Sequence, residues 1–362
     1  MKITIFSGGA GTRFWPLSRL HSPKQFDRVF NGKSTFRLAL ERAFSVTEKR
    51  NVFVATNIRY RKQLLDQSPE LPRNNFFLEP SMRDVGPAVG LVTAIFERLS
   101  PLDPMAIIWS DHLVKDKIGF ARMLKRAEDF ILADPDKIVF VGAQPRFPSE
   151  NWGWIHLGRE LKIDKRRNFR FYGFEGWHYR PSRELAQEYF ESKKWVWNTG
   201  YFVATPAFLM DKFRLFQPEM AVKLEAIARS YGTPKFNSAL KKIYPTLEKI
   251  HFDNAVVEKI DPEEAVVLTG EIGWSDVGTL YSLKEALAGS VEKNLLKGRV
   301  FDSGSTDSLL YNTDGGLLVT IGLSGMIVVQ TPDATLVCPK EEVPTLKKVL
   351  KELEKTNLRK YL

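Results

Sequence analysis

The residues best suited to chemistry stand at the start of the chain. Ser7-Gly8-Gly9-Ala10-Gly11-Thr12-Arg13 directly follows a short apolar run, ITIF (3–6). Glycines accept positive φ and let a ligand approach the backbone closely. Successive exposed N–H groups can then form a concave anion site. A helix entering after Arg13 would add the positive end of its dipole. Arg13 and Lys24 are the cations best placed in sequence to neutralise a bound polyphosphate. Two common phosphate loops do not fit. The dinucleotide fingerprint needs a third glycine, where this chain has Phe14. The P-loop needs a glycine five residues before Gly-Lys-Ser. Gly32-Lys33-Ser34 is present, but Asp27 fills that position. Lys33 therefore reads as a turn lysine ahead of a helix.

Carboxylates complete the inventory. Asp111 ends the run MAIIWSDH (105–112), and Asp276 lies in the segment GWSDVG (273–278), read here as a turn. Oxygen donors from distant segments suit Mg²⁺, which takes one or two carboxylates together with substrate phosphates. An Asx-type turn role for Asp276 is the alternative. His112, after a strand, has a structural use as readily as a chemical one. Glu79 and Arg83 follow a third apolar run. A glutamate can accept two hydrogen bonds from the N1–H and 2-amino edge of guanine; a cap or an ion pair is the alternative.

Elements that must position these residues can be read from periodicity. ITIF (3–6), NVFVAT (51–56), NNFFLEP (74–80), MAIIWSDH (105–112) and KIVFVGA (137–143) are strand-like. Helical stripes separate them, such as Phe36, Leu40, Ala43 and Phe44, or Val89, Thr93, Phe96 and Leu99. Strand–helix alternation implies an α/β fold with a mostly parallel sheet and helices on both faces. Ligands of such sheets bind beyond the carboxyl ends of the strands. SGGAGTR, EPSMR, SDH and GAQP all fall there. Residues 151–290 are less regular and rich in aromatics. From about 295, LLVTI, GMIVVQ and TLVCP read as a small all-β unit. An amphipathic helix carrying Val343, Leu346, Val349, Leu350 and Leu353 on one side ends the chain.

A chain of 362 residues exceeds the roughly 250–300 at which single cores stop growing, so more than one domain is expected. The division falls at 1–290, the catalytic domain, and 291–362, an assembly element. The net charge of +10 is scattered, with no basic block to mark a nucleic-acid partner. A solvated basic surface is one reading of it, and a field that attracts small polyanions is the other. No apolar run reaches the ~20 residues that span a bilayer, and MKITIFSGGAG lacks the long apolar region of a signal peptide. The single cysteine, Cys338, excludes a disulfide framework and a cysteine-cluster metal site. A cytoplasmic protein without a membrane partner is expected.

The loop GGAGTRFWPLSR (8–19) with PKQF (23–26) resembles the N-terminal motif of the sugar nucleotidyltransferases, and specifically of the mannose-1-phosphate guanylyltransferases. EPSMRDVGPA (79–88), SDH (110–112), WNTG (197–200), FDNAVVEK (252–259) and GWSDVG (273–278) follow in the order of that family. VVQTPDATLV (328–337) resembles its C-terminal β segment. The resemblance implies a Rossmann-like nucleotidyltransferase sheet, a small β-helix-like unit and a terminal helix. It implies attack of a sugar-1-phosphate on the α-phosphorus of GTP, with mannose-1-phosphate as the sugar, Mg²⁺ as the cofactor and a homodimer as the assembly. Ser7, Gly8, Gly9, Gly11, Thr12, Arg13, Glu79, Pro80, Arg83 and Asp111 would then hold the nucleotide. Arg13, Lys24, Asp111 and Asp276 would be catalytic, the two aspartates holding the metal. Gly153 and Asn198 resemble residues of the segments that hold the sugar.

Two departures fall on the sugar side. The family's Glu-Lys-Pro aligns best with Tyr179-Arg180-Pro181, which keeps a cation able to grip phosphate in a fork but loses the carboxylate. Glu175-Gly176-Trp177 is an alternative alignment without the cation. The family's TGYGYI segment is altered to Glu150-Asn151-Trp152-Gly153-Trp154-Ile155. Three readings stay open: a guanylyltransferase acting on mannose-1-phosphate, one acting on another sugar-1-phosphate, and a non-catalytic paralogue that senses sugar nucleotides.

Overall fold

ITIF becomes all but the first residue of β1 (Lys2–Phe6), buried along nearly its whole length. A run without polar alternation is the mark of a strand covered on both faces. β2 (Val52–Asn57), β3 (Phe76–Glu79) and β4 (Met105–Trp109) lie parallel to it in the order β3-β2-β1-β4. Phe6 stands opposite both Ala55 and Trp109, so these strands end together. The run 105–112 is not one strand: β4 stops at Trp109 and a short β5 (His112–Val114) begins after a turn. The structure of the protein, a computed structural model, describes residues 1–8, 14–19, 24–27, 30, 32–150, 152–164, 169–288 and 292–362, the side chains of 24 and 162–164 excepted.

The same sheet continues with β6 (Ile138–Ala143), β7 (Gly153–Asp164), β8 (Phe169–Tyr179), β9 (Trp195–Ala204) and β10 (Ala265–Thr269). Its full order is β3-β2-β1-β4-β9-β6-β10-β8-β7. The sheet is mostly parallel, as the strand–helix alternation implies. β9 lies antiparallel at its centre, between β4 and β6, and β8 lies antiparallel between β10 and β7. β7 also pairs with the start of β9, so the far half of the sheet curls back on itself. β11 (Trp274–Asp276) pairs with β5 in a separate two-stranded sheet. Asp276 therefore ends a short strand rather than sitting in a turn.

The chain groups into two compact units. The larger comprises Met1–Gly8, Leu40–Ser110 and Val114–Trp274. Its core joins Val89, Val92 and Phe96 of the helix Val85–Leu99 to Phe213 and Leu224 of the helices Pro206–Phe216 and Pro218–Arg229. Asp84 starts the first of these helices by accepting a hydrogen bond from the N–H of Val85 (3.0 Å).

The smaller unit comprises the described residues of Gly9–Ala39 with Asp111–Leu113 and Ser275–Leu362. β12 (Leu295–Lys297), β13 (Val300–Ser303), β14 (Leu309–Asn312), β15 (Leu318–Ile321) and β16 (Met326–Gln330) are short rungs. β12, β14 and β16 stack in parallel, as do β13 and β15, and an antiparallel β17 (Thr335–Pro339) closes the first stack. This is the β-helix-like unit. The terminal helix is shorter than its pattern: residues 340–345 are 3₁₀ and only Leu346–Leu353 is α-helical. Pro344 is the reason, since it has no N–H to donate to a carbonyl four residues back. Leu346 and Leu350 are buried, whereas Val349, at the margin of the stripe, is exposed.

Candidate active site

In the larger unit, the candidate nucleotide residues stand at the carboxyl ends of β1 and β3. Ser7 is held on β2: its N–H donates to the Ala55 carbonyl (2.8 Å) and its carbonyl accepts from Thr56 Oγ1 (2.5 Å). It is wholly buried, and its Oγ has no hydrogen-bond partner among the described residues. A Cβ on Gly8 would meet none of the described atoms within 4 Å. Gly9, Gly11, Thr12 and Arg13 lie outside the described residues.

Glu79 ends β3 opposite Asn57 and is buried. The Tyr244 hydroxyl donates to its Oε2 at 2.6 Å. Burial pushes the Glu79 carboxyl up to about 7; the hydrogen bond from Tyr244 opposes this and the charge of Asp84 adds to it. Burial and the Glu79 charge drive the Tyr244 phenol well above its ordinary range, while Arg83 pulls it down. Half-buried Pro80 follows the strand, and Arg83 has its Nε buried without a partner among the described residues. Asp84 faces His251 Nδ1 at 3.2 Å, and the Gly86 N–H donates to the Ile250 carbonyl (2.9 Å). The 79–86 segment is thus tied to 244–251 at three points. No sequence signal marks Tyr244 or His251, because each matters only through a partner far along the chain.

The candidate sugar residues meet on neighbouring strands of the same unit. Gly153 begins β7 opposite Tyr179. A Cβ on Gly153 would lie 3.5 Å from Asn198 Cβ and 3.7 Å from both Trp177 and Tyr179. Asn198 Oδ1 accepts from the Gly200 N–H (2.8 Å), and its amide NH₂ is a donor group. Arg180 is exposed with φ at 53°, and its N–H donates to the Trp152 carbonyl (3.2 Å). Its guanidinium lies 5.0 Å from the centre of the Tyr179 ring. Trp152, an altered residue, packs edge-on against Trp197 (4.3 Å) and Trp274 (5.5 Å). Ala143, the last residue of β6, pairs with Trp197, so Asn198 stands at the carboxyl edge of the sheet. Glu79 stands at that same edge, where the ligands of such sheets bind.

The smaller unit holds the two aspartates. The Asp111 side chain is about a third exposed (31%), with its Oδ1 3.9 Å from His112 Nε2. Asp276 is half-buried at the end of β11. Phe14, Val277 and Leu280 share one core with Leu295, Leu309 and Ile327, and Leu113 packs against it. That core fixes one neighbour of Arg13 and of Asp276, and the residue two beyond Asp111. Lys24 opens a 3₁₀ turn, Lys24–Phe26, in which Phe26 packs on Phe36 (5.4 Å); the Lys24 side chain lies outside the described part of the structure. Lys33 sits where the sequence puts it, in a turn whose Phe30 and Lys33 exchange backbone hydrogen bonds of 3.0 Å.

Among the described residues, no group of three or more His, Cys, Asp or Glu could hold a metal by itself. An oxygen pair such as Asp111 and Asp276 fits a cation whose remaining ligands are water and phosphate, which describes Mg²⁺. It does not fit a structural zinc site, which needs four protein ligands. Also among the described residues, no helix is long and apolar enough to cross a membrane.

The nucleotidyl transferase family matches residues 2–293, and the MannoseP isomerase/GMP-like beta-helix domain matches residues 299–353. Mannose-1-phosphate guanylyltransferase RfbM of Salmonella typhimurium (strain LT2) is 30% identical over 99% of this chain and 73% of its own length. The mannose-1-phosphate guanylyltransferase of Escherichia coli (strain K12) is 30% identical over 97% of this chain and 73% of its own. A crystal structure from Thermus thermophilus, named as a mannose-1-phosphate geranyltransferase, superposes with a TM-score of 0.85. It is 28% identical and covers 98% of this chain and 99% of that one. With a family match across most of its length and relatives at 30% identity along nearly all of it, the chain belongs to the nucleotidyl transferase family, among the mannose-1-phosphate guanylyltransferases.

Proposed function

We propose that this chain is an active guanylyltransferase that converts GTP and mannose-1-phosphate to GDP-mannose and pyrophosphate. The observation that carries the reading is the pairing of two features. Every residue type the chemistry requires is kept at Arg13, Lys24, Asp111 and Asp276, and Gly153 and Asn198 meet at the carboxyl edge of the sheet.

A sugar-phosphate oxygen attacks the α-phosphorus of GTP. The bond from that phosphorus to the bridging oxygen breaks, and pyrophosphate leaves with the electron pair. The nucleophile is already an anion, so no strong base is needed. The difficulty is to hold several negative charges together, and positioning alone is worth ~7–11 kcal/mol when the geometry is right. Arg13 and Lys24 neutralise the triphosphate, with Ser7, Gly8, Gly9, Gly11 and Thr12 supplying the loop around it. Mg²⁺, held by Asp111 and Asp276, would offset phosphate charge as a Lewis acid. Glu79, Pro80 and Arg83 form the base-binding segment. Gly153 and Asn198 hold the sugar, and Arg180 grips its phosphate.

Residues 1–290 form the catalytic domain in this reading. Residues 291–362 are the element through which the chain assembles as a homodimer, and the protein works in the cytoplasm. Tyr179, where the family has a glutamate, favours a second reading for the sugar alone, in which another sugar-1-phosphate is accepted. Pyrophosphate release over a matrix of nucleoside triphosphates and sugar-1-phosphates with Mg²⁺ tests all of this. Turnover confined to GTP and mannose-1-phosphate is expected. Turnover with a different sugar supports the second reading. None in any cell of the matrix leaves a sugar-nucleotide sensor.

A further inference from the structure

Tyr179 and Arg180 are neighbours in sequence, yet their side chains meet. The Arg180 guanidinium lies over the Tyr179 ring, 5.0 Å from its centre. Successive side chains of an extended strand point to opposite faces, so consecutive residues do not ordinarily touch. Tyr179 is the last residue of β8, and Arg180 leaves the strand with φ at 53°. A left-handed backbone is uncommon for a residue other than glycine, and such strain persists where the surroundings impose it. Here it breaks the alternation at the strand's end. The surroundings lie in the same compact unit. The Arg180 N–H donates to the Trp152 carbonyl at 3.2 Å. Gly153 stands opposite Tyr179 and brings no side chain against its ring. His178, one residue earlier, has its Nδ1 2.7 Å from the hydroxyl of Tyr189 in the helix Arg183–Ser192. Tyr189 in turn stacks on Trp195 with ring centres 3.9 Å apart. Tyr179 itself is 54% exposed, so its ring is not spent in the core. Among the described residues, the Arg180 guanidinium has no carboxylate partner to compete with the ring.

We propose that Tyr179 is a positioning residue, whose ring face holds the Arg180 guanidinium ready for the phosphate of the sugar-1-phosphate. An exposed arginine is rich in rotamers, and ordering it on binding costs affinity. A ring that already holds the guanidinium removes part of that cost. The choice of an aromatic partner matters. A carboxylate beside Arg180 would pair with it and offset the charge that the phosphate needs. A π face attracts the cation and leaves its N–H donors to the phosphate oxygens. A planar guanidinium also stacks on an aromatic face in a way that a lysine ammonium does not. The two replacements in Tyr179-Arg180-Pro181, where the family has Glu-Lys-Pro, are then one coupled change: a stacked pair in place of two separate groups.

This rests on the reading of Arg180 as the residue that grips the sugar phosphate, so Arg180→Ala is the control. Tyr179→Leu, Tyr179→Phe, Arg180→Ala and the double variant Tyr179→Leu with Arg180→Ala are compared with the unaltered chain. Pyrophosphate release is measured with GTP and mannose-1-phosphate varied in turn, and a circular-dichroism melt accompanies each protein. Tyr179→Leu should raise KM for mannose-1-phosphate about fourfold, the worth of a cation–π contact at an exposed site. KM for GTP should stay within about twofold. Tyr179→Phe keeps the ring and should match the unaltered chain. Arg180→Ala should raise KM for mannose-1-phosphate about tenfold. Adding Tyr179→Leu to it should change nothing further, because the ring then has no cation to hold. An unchanged KM for mannose-1-phosphate in Tyr179→Leu overturns the proposal, as does an equal rise in both KM values. A rise in Tyr179→Phe as large as in Tyr179→Leu assigns the effect to the hydroxyl and overturns it. So does a further rise in the double variant, which would mean that the ring touches the sugar itself. Loss of the cooperative melt in Tyr179→Leu alone assigns the ring to stability and also overturns it. If Arg180→Ala leaves KM for mannose-1-phosphate unchanged, the phosphate-gripping reading fails. If Arg180→Ala raises it and Tyr179→Leu does not, that reading stands and the positioning role fails.

Discussion

Tyr244 donates its hydroxyl hydrogen to Glu79 Oε2 at 2.6 Å, inside the larger unit and across 165 positions of sequence. The pair has two consequences of opposite character. Glu79 is held in place at the end of β3. Its carboxyl is also raised by burial to about 7, so it carries a proton across much of the acid range. A protonated carboxyl cannot accept two hydrogen bonds from a guanine edge, while an ionised one can. KM for GTP should therefore fall as pH rises from about 6 to about 8, by several-fold. Glu79→Gln should remove that dependence, which separates it from the titration of the substrates themselves. KM profiles of the two proteins that run parallel would refute the base-binding role.

Stability should follow the same group with a definite sign. The folded pKa lies above the unfolded one, so the folded state binds more protons between about 4.5 and 7. Glu79 therefore favours folding most below the unfolded pKa, and its contribution is lost as pH rises through the folded one. The loss is on the order of 3 kcal/mol at about 1.4 kcal/mol per unit. Urea midpoints at pH 5 and pH 7.5 should differ in the unaltered chain, and the difference should shrink in Glu79→Gln. Tyr244→Phe should enlarge it, because the hydrogen bond that favours the ionised form is gone.

Asp307 in the smaller unit should behave in the opposite way. It binds both Lys284, whose side chain is wholly buried, and Lys340. Burial raises its carboxyl, but the hydrogen bonds from Lys284 and Lys340 outweigh that and hold it below the usual range. This contribution is present above the unfolded pKa and disappears as pH falls through the folded one, below about 4. Asp307→Ala leaves the Lys284 ammonium buried without that carboxylate. Such a break costs about 3–5 kcal/mol. Chemical denaturation at neutral pH should show that loss, and a change under about 1 kcal/mol would mean that Lys284 finds another partner.

Asp111→Asn and Asp276→Asn test the metal assignment. Each keeps the shape of the side chain and removes a charge. Loss of about 100-fold or more in kcat is expected for each, the scale set by deleting one electrostatic stabiliser of a transition state. The melting temperature should hardly move, since both side chains are partly exposed. The Mg²⁺ concentration giving half-maximal rate should rise in both. Full activity in either variant, or an unchanged Mg²⁺ dependence, would remove that residue from the metal site.

The parts of this molecule that can be read from sequence are those whose meaning is local. The buried strand ITIF needs only residue types and spacing, and the short rungs from Leu295 onward need only alternation and punctuation. The place of β9 does not follow from such signals. WVWNTGYFVA is an apolar run either way, and nothing within it says that it will lie antiparallel between β4 and β6. Asp276 reads as a turn residue because Gly273 and Gly278 flank it, yet pairing with β5 makes it a strand end. Tyr244, in the stretch KKIYPTLEK, carries no mark at all, because its role exists only once Glu79 is beside it. The hydrogen bond from Trp15 Nε1 to the Tyr361 carbonyl is of the same kind. Contacts between distant segments decide these features, and such contacts leave no periodicity in either partner.

Gly153 and Gly200 differ in what a side chain would meet. Gly200 has φ at +70°, and a Cβ there would lie 2.3 Å from Trp109 Nε1, the atom that donates to its own carbonyl. Gly200→Ala combines backbone strain with a clash against a fixed ring, so it should cost about 2–4 kcal/mol. Gly153 is different. Its Cβ would find its nearest neighbours at 3.5 and 3.7 Å, ordinary contact distances, so Gly153→Ala should change stability by less than about 1 kcal/mol. The new methyl would stand beside Asn198 and Tyr179, where the sugar is proposed to bind. KM for the sugar-1-phosphate should rise about tenfold and KM for GTP should stay nearly constant, a split that marks lost binding of one substrate alone. Arg180→Ala should give the same split, because its guanidinium is exposed beside Tyr179. If Gly153→Ala melts normally and leaves both KM values unchanged, the sugar lies elsewhere. If Arg180→Ala raises both KM values equally, Glu175-Gly176-Trp177 is the correct counterpart of the family's Glu-Lys-Pro.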